Sequence, residues 1–114
     1  MHKTRVLCVE DHPANLNILQ HMLKEVGYEV IPAESAEQAL HLIEEESIDG
    51  VLLEYDLPDA NGASVRAEMK RIKPELPILL FAGVGDHTPI LIRFFDAYLR
   101  NADDWQDTPE GQAD

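Results

Sequence analysis

Asp49-Gly50-Val51-Leu52-Leu53-Glu54-Tyr55-Asp56-Leu57-Pro58-Asp59-Ala60-Asn61-Gly62 is the stretch that decides the fold. Ile48 to Leu53 predicts a strand, apolar on both faces once past Asp49 and Gly50. A strand buried on both sides implies a parallel sheet with helices on each face. Glu54 closes the strand and Asp56 follows two residues on. Leu57 to Gly62 is a loop by composition.

Working outward, the same alternation recurs. Arg5-Val6-Leu7-Cys8-Val9 predicts a buried strand. Asp11 offers a helix cap with Pro13 in the first turn. Leu16, Leu19, Leu23 and Val26 follow at helical spacing, widened by Ile18 and Met22, and Gly27 ends that helix. Tyr28 to Pro32 predicts a second strand. Ser35 with Gln38 forms a capping box, opening a helix with Ala36, Ala39, Leu40 and Ile43 on one face. Downstream of the central stretch, Val65, Met69 and Ile72 mark a helix stopped before Pro74. Pro77 to Phe81 predicts a fourth strand. Gly83 and Gly85 lie in the next loop, Thr88 to about Phe95 predicts a short helix, and Ala97 to Arg100 a fifth strand. The expected class is α/β, a flavodoxin-like, doubly wound, parallel five-stranded sheet of order 2-1-3-4-5. No closing helix is legible after Asn101, so that helix is expected to be missing or displaced.

The chain has 114 residues and a formal net charge of −13, which suits one domain and argues against nucleic acid or anionic lipid as a partner. No signal peptide is legible and no run of apolar residues is long enough to span a membrane, so the expected compartment is the cytoplasm. Cys8 lies within an apolar run and reads as a small buried hydrophobe. Residues 4–101 form the expected domain. Residues 102–114 carry five acids, no Lys or Arg, and Trp105, and are expected to be a disordered acidic tail.

Ligands of open parallel sheets bind at the carboxyl ends of the strands. Glu10 and Asp11 end the first strand, and Glu54, with Asp56, ends the third. If those strands are neighbours, the acids converge, and a hard cation such as Mg²⁺ would relieve their repulsion. Solvated loop acids are the plain alternative. His12 beside them reads as a partly exposed helix-start histidine rather than a ligand.

The order of these motifs, Val9-Glu10-Asp11, then Leu57-Pro58-Asp59-Ala60-Asn61-Gly62, then Pro77 to Gly83, resembles the receiver domains of two-component response regulators. The resemblance runs from about Arg5 to Asn101. It implies Mg²⁺ at Glu10 and Asp11, and a phosphoacceptor four residues before Pro58. That position is Glu54, where the family has Asp. The family's Thr or Ser after the fourth strand falls on Ala82. Asp96-Ala97-Tyr98-Leu99-Arg100-Asn101 is similar to the family's Asp-x-Tyr-Leu-x-Lys, which puts the switch aromatic at Tyr98 and Asn101 in place of Lys. A second alignment sets Asp103-Asp104-Trp105 on that motif, with Thr108-Pro109 where the family has Lys-Pro. Neither leaves a Lys there.

These departures bear on the chemistry. Glu displaces the nucleophilic oxygen by roughly 1.5 Å, and a misplacement of about 1 Å costs on the order of 10²-fold in rate. Each missing donor, at Ala82 and Asn101, costs about 10²-fold again. The expected function is therefore a receiver-like module of a bacterial two-component pathway, not an enzyme, with slow or absent phosphorylation at Glu54 and with Mg²⁺ bound weakly or not at all. Its expected partner is a sensor kinase or output protein, joined by a homodimer through the sheet face that a missing helix leaves open. Glu54 as a mimic of the phosphorylated state is the less favoured reading, because Glu carries one charge where phosphate carries nearly two. The alternatives are a working phosphoacceptor modified at Glu54 or Asp56, and a Mg²⁺-dependent phosphatase or hydrolase, for which no nucleophile motif speaks.

Overall fold

Val6 to Val9 and all of Gly50 to Glu54 are buried in the computed structural model, which describes residues 3–101. These are β1 (Arg5–Val9) and β3 (Gly50–Glu54). They lie side by side as the two central strands, which is why neither alternates with polar residues. β2 (Glu29–Ala33) pairs parallel on the far side of β1, and β4 (Ile78–Phe81) on the far side of β3. Among the described residues the sheet has four strands in the order β2-β1-β3-β4.

The first four strands and their order are as expected; the fifth strand is not. Ala97 to Arg100 belongs to a helix running unbroken from Thr88 to Arg100. The helices among the described residues are α1 (Pro13–Val26), α2 (Ala36–Glu45), α3 (Gly62–Ile72) and α4 (Thr88–Arg100). α2 and α3 cover one face through Ala39, Ile43, Val65 and Met69, packed on Leu7, Val9, Val51 and Leu53. α1 and α4 cover the other through Leu19, Leu23, Ile92 and Phe95, packed on Val6, Cys8, Leu52 and Phe81. The face that the missing closing helix was to leave open is thus covered by α4, which removes the premise on which a homodimer through that face was expected. Tyr28 fixes this packing, meeting Phe95 edge to face at 6.2 Å and donating its hydroxyl proton to Asp96. Leu99 reaches β3 at Gly50, where a β-carbon would stand 2.5 Å from its methyl.

Local signals explain most boundaries. Gly27 takes φ 110°, and its N–H closes α1 on Leu23 and Lys24 carbonyls. Ser35 Oγ accepts from Gln38 N–H at 3.1 Å, while Gln38 Oε1 accepts from Glu34 N–H at 2.9 Å. Asp11 does not cap α1: His12 holds that position, with no side-chain bond, and Pro13 begins the helix. The acidic-tail reading of 102–114 and the second alignment on Asp103–Trp105 lie outside the described residues.

Candidate functional site

Parallel pairing in register carries Glu10 and Glu54 to the same edge of the sheet. Val9 pairs with Leu53, and each acid is the next residue along. The N–H of Glu10 donates to Ala33 O at 3.0 Å, continuing the β1–β2 ladder, so the backbone fixes where this carboxylate stands. Glu10 is 2% exposed and Glu54 6%. Burying two carboxylates this close is unfavourable unless each finds donors or a cation.

Glu10 finds one donor. Asn15, in the first turn of α1, gives its Nδ2–H to Oε1 at 2.9 Å, and Oε2 is buried with no hydrogen-bond partner. Burial raises the Glu10 carboxyl above its ordinary value, and the charges of Glu54 and Asp11 add to that rise, opposed by the Asn15 bond. Its charge also joins burial in pushing the Cys8 thiol up, so Cys8 is an inert core side chain.

Glu54 finds two donors. Oε2 accepts from Gly83 N–H at 2.9 Å, and Oε1 from Asp56 N–H at a long 3.4 Å. The first of these bonds spans from the end of β3 to the loop after β4. Gly83 adopts φ 73°, which a side-chain-bearing residue rarely takes, and that turn aims its N–H at the carboxylate.

The loop after β3 is pinned from both sides. Asn61 Oδ1 accepts from Ala63 N–H at 2.7 Å to cap α3, and Gly62 N–H donates to Tyr55 O at 2.6 Å. Asp59 accepts from Ala36 and Glu37 N–H, both at 3.0 Å, so this loop caps the start of α2 from a distance in sequence. Those two bonds hold the Asp59 carboxyl below its ordinary value.

The expected site residues fare unequally. Glu10, Asp11 and Glu54 meet at the carboxyl edge. Among the described residues, the group able to hold a metal is Glu10, Asp11 and His12, whose ligand atoms lie within 4.8 Å of one another. His12, read from the sequence as a bystander, is in it, with Nδ1 3.2 Å from Asp11 Oδ2. Asp56 is not in it: its side chain is exposed, and its backbone bridges to Asn61. Ala82 follows β4 at the same edge as expected and is exposed. Tyr98 and Asn101 are placed elsewhere. Both ride on the end of α4, beside Leu99, at the Gly50 end of β3 and so at the opposite edge of the sheet from the acids. Asn101 Nδ2–H donates to Ala97 O at 2.8 Å as a helix-end residue. The roles expected of them at a strand beside the site are corrected accordingly. Sequence reading missed Asn15 and Gly83. A polar residue at the first turn of a helix that follows an acid is a weak signal, and a loop glycine announces no hydrogen bond.

Comparison with known proteins agrees with this fold. The family model of the response regulator receiver domain matches residues 6–100. The sensor protein GacS of Pseudomonas syringae pv. syringae is 38% identical over 80 residues, covering 66% of this chain and 9% of that protein. The probable transcriptional regulator ycf27 of Guillardia theta is 33% identical over 84 residues, covering 74% of this chain and 33% of that protein. The chain therefore spans a third or less of the length of these relatives. Among solved structures, the response regulator TrrA of Thermotoga maritima, in complex with Mg²⁺–BeF, superposes with a TM-score of 0.69 at 30% identity, covering 80% of this chain and 79% of that one. A CheY-like receiver domain protein from Methanospirillum hungatei gives a TM-score of 0.69 at 26% identity, over 82% and 74% of the two chains.

Proposed function

This chain belongs to the response regulator receiver domain family, and we propose that within it the chain is a module no longer switched by phosphorylation at Glu54, acting through contact with a sensor kinase or an output protein. Receiver domains are signalling modules of two-component pathways. The observation that carries the finer reading is the occupation of Glu54. Its longer carboxylate is tethered by the backbone N–H groups of Gly83 and, at a long 3.4 Å, Asp56, and that tether opposes the in-line approach that phosphoryl transfer requires. Ala82 supplies no hydroxyl, and Asn101 lies at the other end of the sheet. The side-chain hydroxyl and ammonium that would steady a product phosphate are thus absent from these two positions.

A hard divalent cation fits the acids that remain. Glu10 Oε2 is buried and unpartnered, and Asp11 stands within reach of it. Bound there, Mg²⁺ would neutralise the crowded carboxylates and offer a binding point for phosphoryl oxygens. In its absence, burial and the neighbouring acids raise the Glu10 carboxyl above its ordinary value, which disfavours its charged form.

A second reading draws support from the Gly83 bond. The Glu54 carboxylate by itself ties β3 to the loop after β4, so the domain can be held in one signalling state by a built-in anion.

Intact mass spectrometry after exposure to Mg²⁺ and a small acyl-phosphate donor tests the proposal, with Glu54→Asp treated in parallel. The expected result is no added phosphate on the parent chain and a labile phosphate on Glu54→Asp. Phosphate on the parent overturns the proposal and makes the chain a working switch.

A further inference from the structure

Among the described residues no strand pairs with the outer edge of β4. Val51 N–H donates to Pro77 O and Tyr55 N–H to Phe81 O, so odd-numbered residues of this segment turn their backbone inward. The N–H and C=O of Ile78 and Leu80 therefore point away from the sheet. An edge of this kind is a template for another strand. The strand is also less covered than its neighbours: Leu79 and Leu80 are only partly buried, whereas Val51, Leu52 and Leu53 are fully so.

The two faces beside this edge differ in chemistry. On one, α4 turns Asp96 toward Tyr28 and α1. Its opposite flank carries Leu91, Phe94 and Tyr98 at helical spacing; Leu91 shares a hydrophobic cluster with Leu79 of β4, and Phe94 is 57% exposed. On the other face, α3 turns Glu68 and Arg71 toward α2, where Arg71 feels the charge of Glu44. Its outer flank carries Arg66 and Lys70. Neither has a carboxylate partner among the described salt bridges and hydrogen bonds, although the chain holds 22 acids. Lys70 is partly buried and its ammonium is pushed down by burial and by Arg66. Two adjacent cations that repel each other, with no carboxylate partner among the described residues, mark a place for an external anion.

We propose that the β4 edge is a docking site for an extended segment of a partner protein that alternates carboxylate with apolar side chains. The segment adds to the sheet as a strand on the Ile78 and Leu80 backbone groups. Its acids face Arg66 and Lys70, and its apolar side chains lie on Leu79, Leu91 and Phe94. A second copy of this chain is a poorer occupant, because a two-fold axis between antiparallel β4 strands keeps like faces together and sets the Arg66 and Lys70 pairs of both copies against one another. This surface is distinct from the carboxyl edge, and the inference stands whether or not Glu54 accepts phosphate.

The test is a backbone NMR titration of the whole chain with two synthetic peptides, one alternating Glu with Val and one alternating Lys with Val. The Glu–Val peptide is expected to shift and protect the amides of Ile78 to Phe81, and to bind about tenfold more tightly than the Lys–Val peptide. Arg66→Glu with Lys70→Glu is expected to reverse that order while leaving the Val6–Val9 resonances in place, which shows that the variant is folded. Equal binding of both peptides, shifts away from β4, or protection of the β4 amides that rises with protein concentration in the absence of peptide overturns the proposal.

Discussion

The side chain of Glu54 and the backbone of Gly83 meet at 2.9 Å across the carboxyl ends of β3 and β4. A buried carboxylate at the end of one strand thereby holds the first turn of the loop leaving the next. Replacing Glu54 by Ala removes a charge-assisted bond worth about 1.5–3 kcal/mol. It also relieves Glu10 of a neighbouring charge, so the net loss of stability is expected to fall below that range. The local effect is larger. Amide exchange at Gly83 should accelerate in Glu54→Ala and stay near the parent rate in Glu54→Gln, whose amide oxygen still accepts the bond. Equal acceleration in both variants would show that charge, not the bond, holds the loop.

Glu10 gives the stability a pH dependence of unusual sign. Its carboxyl in the folded chain is raised above 4.5, its ordinary value. The folded state therefore binds more protons than the unfolded state between 4.5 and the raised value. Stability from this group is full below pH 4.5 and declines as pH rises through that window. Thermal melts of Glu10→Gln, which keeps an acceptor for Asn15, should lack the decline and show a higher midpoint than the parent at neutral pH. Millimolar Mg²⁺ should narrow the difference by stabilising the parent alone.

Two glycines make an unequal pair. A β-carbon on Gly62 would stand 2.7 Å from both Glu54 O and Tyr55 Cα, backbone atoms of the strand end that cannot move aside. On Gly50 the contact is the flexible Leu99 side chain. Gly62→Ala is expected to cost at least about 1–3 kcal/mol by urea denaturation, and Gly50→Ala less. A reversal of that order would place the tight packing at the wrong end of β3.

Tyr28 joins the start of β2 to α4 through Asp96, which also pairs with Arg100 at 3.0 Å. Tyr28→Phe keeps the ring on Phe95 and loses only the hydroxyl bond, an expected loss of about 1 kcal/mol. Asp96→Ala leaves the buried hydroxyl without its acceptor and is expected to cost more, about 1–3 kcal/mol. Paired urea curves decide between them.

The parts of the fold legible in the residues are those where burial leaves no choice. Ile48 to Leu53 and Arg5 to Val9 are apolar on both faces, and only central strands of a covered sheet accommodate that. Ala97-Tyr98-Leu99-Arg100 shows the limit. Four residues with two large apolar side chains suit a strand or a helix turn equally well. What decides is tertiary: Phe95 and Leu99, one turn apart, both land on the sheet. The acids at the carboxyl edge were legible because strand ends are readable, and Glu54 because Pro58 fixes the count. Asp56 stands apart from the Glu10–Asp11–His12 group, because sequence shows a carboxylate two residues after a strand but not that its backbone bridges to Asn61 and leaves the side chain exposed. Tyr98 and Asn101 fell with the strand they were assigned to. Asn15 and Gly83 act through geometry that no spacing announces.

The return of α4 over the α1 face has a kinetic consequence. Tyr28 and Asp96 are 68 residues apart in sequence, and Gly50 meets Leu99. As the chain leaves the ribosome, Val6, Cys8 and Leu52 emerge long before the helix that covers them. The nascent sheet is half-roofed until its final described turn arrives, a contact order that slows folding and lengthens the interval in which an apolar surface is open to chaperones and to aggregation.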